Sequence, residues 1–261
     1  VNTQATRSTL TSVDTTLSAN ITATQDFIPV ASTTNFSTSV VAEIESTNEV
    51  VSFTDISENL LQYSEQFDQN FYGKTNATIT ANTATAPDGT NTADSLDTTN
   101  AASGSCFIRI SSTDIPNFSA SKTYMFSLFA KAGTNNIIRI ANAFSFSTAA
   151  WFNLSNGTIG TQNDTAGRGM TSTITDVGDG WYRITRLFPP TQNVSNQFIL
   201  IGNCDADGSV GNPGTNKDVL IWGAQIEEAS SATTYLPTLA SARVGLTGVT
   251  RGVNGTTAQA A

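Results

Sequence analysis

Histidine is absent from this 261-residue chain. The absence removes the commonest general base, the nucleophile pairs that depend on an imidazole, and the usual protein ligand of zinc and iron. The sequence also lacks a P-loop and a dinucleotide-binding motif, since the glycines around Gly248 are typical of a turn rather than of a phosphate-binding loop. We therefore expect a protein that is not an enzyme, with no catalytic residues and no cofactor.

Charge is also scarce, because only 13% of the residues are charged and the formal net charge is −9. The 12 lysines and arginines are scattered, whereas binding of nucleic acid depends on cations that neutralise phosphates. Long surface helices normally carry many Glu, Lys and Arg residues. A composition rich in Ser, Thr, Asn, Ala and Gly predicts short strands joined by polar turns, and no nucleic-acid partner.

Long apolar runs and cysteines are few. No segment approaches the roughly 18 apolar residues of a membrane span, and the opening VNTQATRSTL lacks the apolar core of a signal peptide, so we expect no membrane insertion. The cysteines are Cys106 and Cys204. A disulfide and two buried thiols both fit this pair, and the missing export signal favours the thiols.

What the sequence does contain is a series of short apolar runs, of which 218–227 is the clearest. Its residues alternate with period two, which predicts a half-buried strand anchored by Trp222. Trp181 and Trp222 are both expected in the core. One face of the predicted strand carries Leu220, Trp222, Ala224 and Ile226, and the other carries Val219, Ile221, Gly223, Gln225 and Glu227.

Three or four short strands are predicted in residues 21–56, and nine further segments between 78 and 226 fit short strands separated by turn-forming residues. Asn156-Gly157 predicts a hairpin with a type I′ turn, and the polar stretches 84–105 and 203–217 are expected to be loops. Many short strands without a helical pattern predict an all-β, antiparallel β-sandwich. The predicted strands are 78–83, 106–110, 123–131, 137–141, 151–154, 170–175, 181–188, 198–201 and 219–226.

Six sequence blocks carry a resemblance to a known family. They are NLLQYSEQF (59–67), APDGTNTAD (86–94), YMFSLFAKAG (124–133), WFNLSNGTIGT (151–161), GDGWYRITR (178–186) and IWGAQIEEASSATTYLPT (221–238). In this order they resemble the carbohydrate-binding-module-like β-sandwich that recurs in bacteriophage virion proteins, including head-fibre and tail-fibre chains. The resemblance implies a jelly-roll sandwich carried on a virus particle.

The two ends of the chain carry a second resemblance. IPVASTTNF, NEVVSFTDIS and LTGVTRGVNGTT are similar to successive parts of a small β-module common in phage structural proteins. Because the sandwich lies between the second and third parts, we interpret 1–56 with 241–261 as a discontinuous carrier module and 57–240 as an inserted sandwich. A linear chain with a C-terminal tail is the alternative. Residues 1–20 are either an extended arm or a flexible terminus.

These resemblances imply a non-enzymatic structural protein on the outside of a phage particle, as a capsid decoration, head fibre or tail fibre subunit. The carrier module would dock to other virion proteins of the capsid or tail while the sandwich projects. The same setting implies assembly in the bacterial cytoplasm, location on the virion surface, and a homo-oligomer, with a trimer expected. The alternative is a receptor-binding adhesin for a host surface glycan, with Phe144, Phe146 and Trp151 as candidate sugar-contacting aromatics.

A structural calcium ion is a further hypothesis, because many carbohydrate-binding jelly rolls hold one. Glu65, Asp218 and Glu227 would be its oxygen ligands here. Acidic side chains in solvent or beside an arginine are the favoured alternative, and no EF-hand-like run is present, so we expect no metal.

Paired carboxylates could make a glycosidase of a sugar-binding sandwich. The candidate pairs are Glu227 with Glu228 and Asp176 with Asp179. Neighbours on a strand point to opposite faces, and the aspartates lie in a turn of a common type, so neither pair is expected to be catalytic.

Overall fold

The computed structural model describes most of the chain between residues 55 and 247 and short parts of the flanking sequence. The described residues form two compact units, one from 1–57 with 244–261 and the other from 58–243. The predicted arm at 1–20 lies outside the residues that the structure describes. The residues described are 28–29, 41–44, 49–52, 55–98, 104–110, 119, 121–142, 148–164, 167, 169–189, 198–247, 249–250, 253 and 257.

Every regular element among the described residues is a β-strand, which confirms the predicted all-β fold class. None of these residues forms a helix that is long and apolar enough to cross a membrane. The strands are β1 (Ile28–Pro29), β2 (Val41–Ile44), β3 (Glu49–Ser52), β4 (Asp55–Asn59), β5 (Tyr72–Thr75), β6 (Ala77–Ala84), β7 (Ala93–Thr98), β8 (Cys106–Ile110), β9 (Tyr124–Ala132), β10 (Ile137–Asn142), β11 (Thr148–Asn153), β12 (Thr158–Asp164), β13 (Ser172–Gly178), β14 (Trp181–Phe188), β15 (Ile199–Asn203), β16 (Asp218–Glu227) and β17 (Arg243–Thr247).

The unit built from both chain ends contains a three-stranded sheet in which β17 lies between β1 and β4. β1 and β17 are antiparallel, and the hydroxyls of Ser57 and Thr247 lie 2.9 Å apart. β2 and β3 form a hairpin, and Ser52 exchanges two backbone hydrogen bonds with Thr250, at 2.8 and 3.0 Å. Segments far apart in sequence therefore pair in this unit, while its docking role remains a prediction.

The unit of residues 58–243 is a jelly-roll-like sandwich of two six-stranded antiparallel sheets. The front sheet has the strand order β13-β14-β9-β16-β7-β6, and the back sheet has the order β12-β11-β10-β15-β8-β5. Both sheets contribute fully buried apolar side chains to one cluster between them, which includes Ile108, Phe126, Ile138, Phe152, Ile184, Ile201 and Ile221. Burial of each such side chain stabilises the fold by about 1.5–3 kcal/mol.

A β-bulge in β16 reverses the alternation of that strand. The pairing of β16 with β9 shifts between Trp222 and Gln225, and Gly223 in the bulge has a φ of 60°. As a result Ile221 and Ala224 both face the core between the sheets, whereas Trp222 faces outward. The prediction that Trp222, Ala224 and Ile226 lie on the same face of the strand was wrong. An extra residue in one strand exchanges the two faces beyond it.

Trp181 and Trp222 are buried, at 2% and 3% exposure, but not between the sheets. They pack with Phe129 on the outer face of the front sheet, where segment 85–92 covers them. The Trp222 indole N–H donates to the Thr92 hydroxyl at 2.9 Å, and the Trp181 indole N–H donates to a backbone carbonyl of the same segment at 3.1 Å. The sandwich therefore has a second, outer aromatic cluster that the sequence pattern did not separate from the core.

The back sheet carries a similar apolar cluster on its outer face, and the two cysteines lie on opposite sides of this sheet. Cys106 belongs to the cluster between the sheets and Cys204 to the outer one. Both are free buried thiols, which was the favoured of the two alternatives for this pair. Burial raises the pKa of each thiol to about 12, so neither is a reactive thiolate near neutral pH.

Candidate functional site

Trp151, a candidate sugar-contacting residue, lies in the outer cluster of the back sheet and is only 2% exposed. Its indole N–H donates to the backbone carbonyl of Ser209, and the Arg139 guanidinium lies 5.4 Å from the centre of the ring. A ring enclosed in this way offers no free face for a sugar in this structure. The other two candidates, Phe144 and Phe146, lie outside the described residues.

The three carboxylates considered for calcium are each engaged with a different group. Glu65 accepts a hydrogen bond from the Tyr235 hydroxyl at 3.0 Å, and Asp218 accepts one from the backbone N–H of Thr134 at 2.9 Å. In the described part of the chain, no three acidic or thiol side chains converge in a way that could hold a metal ion. The predicted ligands therefore do not form one site.

Glu227 and Glu228 do not share one site, and the aspartates of the other pair are both exposed near the turn between β13 and β14. Glu227 is 2% exposed, accepts hydrogen bonds from the Gln225 side chain (3.0 Å) and the Thr233 backbone (3.1 Å), and has its pKa raised by burial. Glu228 is exposed and forms an ion pair with Lys122. In the other pair, the carboxylate of the first aspartate, at position 176, accepts a backbone hydrogen bond within its own turn.

A groove of about 440 Å³ lies on the outer face of the front sheet, where β6, β7 and β16 are adjacent. A bulge in β6 builds one wall of it, because the pairing with β7 shifts between Thr80 and Ala84 and leaves residues 81–83 opposite Asp94 alone. Asn82 in this bulge has a φ of 57°, and its N–H donates to Asp94. The groove is lined by Thr80, Thr83, Ala84, Ser95, Asp97, Asp218 and Leu220.

Two carboxylates dominate the polar end of the groove. Asp97 and Asp218 are directly opposite each other on β7 and β16. The Ser95 hydroxyl lies 3.0 Å from one Asp97 oxygen and 3.2 Å from one Asp218 oxygen, and Thr80 donates to the second Asp97 oxygen at 2.8 Å. None of the seven lining residues is cationic, so the groove presents hydrogen-bond acceptors and hydroxyls with no balancing positive charge.

The groove residues on β7 were not found from the sequence, because 84–105 was predicted to be a loop. That prediction was wrong for Ala93–Thr98, which forms β7. Its polar side chains form hydrogen bonds with specific partners rather than with solvent. Because these side chains are polar, the composition of the segment is typical of a loop, although β7 is a strand paired on both sides. The alternation of Ser95 and Asp97 with Leu96 is the signal that indicates a strand here.

A second polar cluster joins the first and last segments of the sandwich unit, and we call it the end clamp. Asn59, which is fully buried, donates from its amide to the carbonyls of Ala224 and Leu236, both at 2.9 Å. Ser64 and Thr238 exchange hydrogen bonds, with the Thr238 N–H donating to the Ser64 hydroxyl at 2.8 Å. The clamp therefore holds the start and the end of the sandwich segment side by side.

Asp94 is a buried carboxyl whose pKa is strongly raised. It is 1% exposed, and its two oxygens accept backbone hydrogen bonds from Phe67 and Asn82, both at 2.9 Å. Burial raises the pKa of Asp94 to about 6, and the two hydrogen bonds oppose this shift only in part. Burial also raises the pKa values of Glu58 and Glu65.

These shifts predict that mild acid stabilises the protein. A raised folded-state pKa means that the native state holds the proton more tightly, so the contribution of Asp94 is present below its unfolded value of 3.8 and is lost as the pH rises through about 6. Lowering the pH from about 7.5 to about 5 should raise the melting temperature, with Asp94 contributing no more than about 3 kcal/mol. Thermal melting of the full chain at several pH values measures this.

The matched variant is Asp94→Asn, which cannot titrate. Its melting temperature should be lower at every pH, because the amide can accept only one of the two backbone hydrogen bonds. Acidification should also raise the melting temperature of this variant less than that of the unmodified chain. An equal rise in both proteins would contradict the assignment of the shift to Asp94.

Comparison with known proteins gives distant structural likeness only. No family model and no curated protein matches the chain. An arabinose-bound α-L-arabinofuranosidase, MgGH51, matches at 15% identity and a TM-score of 0.39 over 65% of this chain and 26% of its own. A putative sugar-binding protein from Bacteroides thetaiotaomicron matches at 12% identity and a TM-score of 0.38 over 66% of this chain and 100% of its own. This chain thus spans about a quarter of the arabinofuranosidase, and neither likeness carries an argument about function.

Proposed function

We propose that the protein is a non-enzymatic structural protein on the exterior of a bacteriophage particle, as a capsid decoration or fibre subunit. In this proposal the unit of both chain ends docks to other virion proteins of the capsid or tail, and the sandwich is displayed. The six sequence blocks that resemble virion sandwiches support this setting. A trimer and assembly in the bacterial cytoplasm belong to the same proposal.

The end clamp is the structural observation that carries the proposal. A domain that is displayed from a carrier must receive the chain and return it at nearly the same place. Asn59 and Ser64 at the start of the sandwich bind the backbone of Leu236 and Thr238 at its end, through hydrogen bonds of 2.8–3.2 Å. Because these groups are buried, the hydrogen bonds fix the first and last segments of the sandwich relative to each other.

The positions of the carboxylates support the non-enzymatic part of the proposal. Glycoside hydrolysis needs two carboxyl groups on either side of one bond. Glu227 is instead fully hydrogen-bonded in the interior, and Glu228 is exposed and ion-paired. Both side chains have structural partners that explain their positions.

Antibodies raised against the full chain test this proposal on purified phage particles. We expect them to label intact particles at regularly spaced external positions in electron microscopy, and to detect the chain among the particle proteins on a denaturing gel. Antibody that has been absorbed with the purified chain is the control. Detection only in the soluble lysate, or labelling only of disrupted particles, would contradict the proposal.

A further inference from the structure

The four edge strands of the sandwich differ in how well they are protected from pairing with another chain. An edge strand presents unpaired backbone N–H and C=O groups, which proteins block with bulges, lysines or short strands. β6 contains the bulge at residues 81–83, and β5 is only four residues long and carries Lys74. β12 pairs irregularly with β11, and Asp207 accepts a hydrogen bond from the Thr161 N–H at 2.7 Å. β13, the fourth edge, has neither a bulge nor a lysine over residues 172–176.

The backbone of β13 alternates between residues that bond to β14 and residues that point away from the sheet. The Leu187 N–H donates to the Thr171 carbonyl at 2.8 Å, and this bond fixes the phase of the antiparallel ladder. Every second residue after Thr171 therefore directs its N–H and C=O groups outward. These residues are Ser172, Ile174 and Asp176. Within the part of the chain that the structure describes, no backbone group pairs with their outward side.

The order of residues along β13 suits antiparallel pairing with the same strand of a second copy. With a twofold axis at Ile174, the outward groups of the two strands meet and can form about six backbone hydrogen bonds, two for each of the three residue pairs. Thr173 then faces Thr175 of the second copy, which is a favourable cross-strand pair. The half-buried Ile174 side chains of both copies meet at the axis. Asp176 faces Ser172 of the second copy, so no like charges are opposed.

A buried cation beside β13 lacks a negative partner that this pairing would supply. Arg186 is 1% exposed, and among the described residues no carboxylate forms an ion pair with it and its Nε has no hydrogen-bond partner. Its Nη1 donates to the Ser172 hydroxyl at 2.9 Å, and this hydroxyl keeps its own proton for donation. One Asp176 oxygen accepts from the Gly178 N–H at 2.8 Å. The other oxygen is available to accept from Ser172 of a second copy, which brings a carboxylate toward Arg186.

We propose that β13 is a self-association surface, through which two copies of the chain join their front sheets edge to edge, antiparallel, with Ile174 at the twofold axis. The result is one continuous sheet of twelve strands, six from each copy. A contact of one short strand per copy is small beside the roughly 1,200–2,000 Å² of stable interfaces. The pairing is therefore weak between free chains and is favoured where copies are held close together. It is additional to the proposed trimer and does not depend on the virion proposal, so either can fail alone.

Disulfide trapping on the full chain tests both the pairing and its register. Thr173→Cys and Thr175→Cys are made as separate proteins, mixed under mild oxidation, and run on a non-reducing gel after the remaining thiols are blocked. Directly opposed residues fall within the Cα separation of about 4.4–6.8 Å that a disulfide spans, whereas identical residues of the two copies lie roughly 7–8 Å apart. The mixture should therefore give at least about five times more linked dimer than either protein alone. Cys106 and Cys204 are buried and should not react.

Matched variants separate specific pairing from general effects. In both cysteine proteins, Ile174→Pro removes an outward N–H without breaking the ladder to β14, and it should reduce the dimer to the level of the single proteins. Asp176→Lys places a cation toward Arg186 of the other copy and should reduce the dimer at least about threefold. Thr78→Cys mixed with Thr80→Cys has the same spacing on exposed positions of the bulged edge β6 and should give no excess of dimer. Melting curves show whether each variant is folded, and Asp176→Lys keeps the test valid if Ile174→Pro is unstable.

Three results would overturn the proposal. The first is a mixture that gives no more dimer than Thr173→Cys or Thr175→Cys alone, which would exclude the proposed register. The second is dimer that persists unchanged in both Ile174→Pro and Asp176→Lys. The third is an equal yield from the pair of cysteines on β6, which would show that the cross-links form by random collision rather than by pairing of β13.

Discussion

Replacing Asn59 with alanine should lower the free energy of unfolding of the sandwich by about 3–5 kcal/mol, because it removes four buried hydrogen bonds and leaves their backbone partners unsatisfied. The Asn59 amide donates to Ala224 and Leu236, and its carbonyl accepts from the N–H groups of Leu61 (3.1 Å) and Ile226 (3.2 Å). A side chain that is both donor and acceptor at this point cannot be replaced by a smaller residue. Urea unfolding monitored by tryptophan fluorescence measures the effect.

This readout is specific, since the three tryptophans of the chain all lie between residues 151 and 222, inside the sandwich unit. Asn91→Ala is the control, because Asn91 is exposed and makes one hydrogen bond to a backbone carbonyl, at 3.1 Å. It should change the stability by no more than about 0.5 kcal/mol. Equal unfolding midpoints for the Asn59 and Asn91 variants would show that the end clamp does not stabilise the sandwich.

Gly223→Ala should destabilise the sandwich by about 2–5 kcal/mol, by combining backbone strain with overpacking. The φ of 60° at Gly223 disfavours any residue with a Cβ atom, and a Cβ built there would lie 3.0 Å from the Phe129 ring and 3.2 Å from the Tyr235 ring. Neither ring can move freely, because both pack against Trp222. The change should be measured by the same urea unfolding.

Gly89→Ala provides the comparison that separates the two causes. Gly89 also has a positive φ, of 86°, but a Cβ atom there would meet nothing within 4 Å. Replacing Gly89 with alanine should lower the free energy of unfolding only by the backbone strain of about 1–2 kcal/mol. If the two variants were equally destabilised, close packing of aromatic rings over the β16 bulge would not be the reason for a glycine at position 223.

The ends of several strands could be predicted accurately from the sequence. The segments 106–110 and 181–188 coincide with β8 and β14, and β16 differs from its predicted limits by one residue at each end. The hairpin at Asn156-Gly157 also forms between β11 and β12. Its turn is not type I′, because of the two residues only Gly157 has a positive φ.

The errors arose where polar groups or an extra residue interrupt the pattern. β7 contains buried Asp94, Ser95 and Thr98, whose hydrogen bonds to residues far away in the sequence are not visible in a local window. The bulge in β16 cannot be recognised from alternation, because Gly223 fits either face of an unbroken strand. Local composition therefore identified the sandwich but not the groove, which depends on the β6 bulge and on the pairing of Asp97 with Asp218.

The end clamp also determines how the sandwich responds to mechanical force. A pull that separates the two chain ends acts on the pairing of β4 with β17 and then on the bonds from Asn59 to Leu236 and between Ser64 and Thr238, because these groups join the segments before and after the two large sheets. The two sheets beyond them bear no load until those bonds break. We therefore expect the force at which the sandwich begins to extend to depend on these hydrogen bonds between its first and last segments rather than on its apolar core.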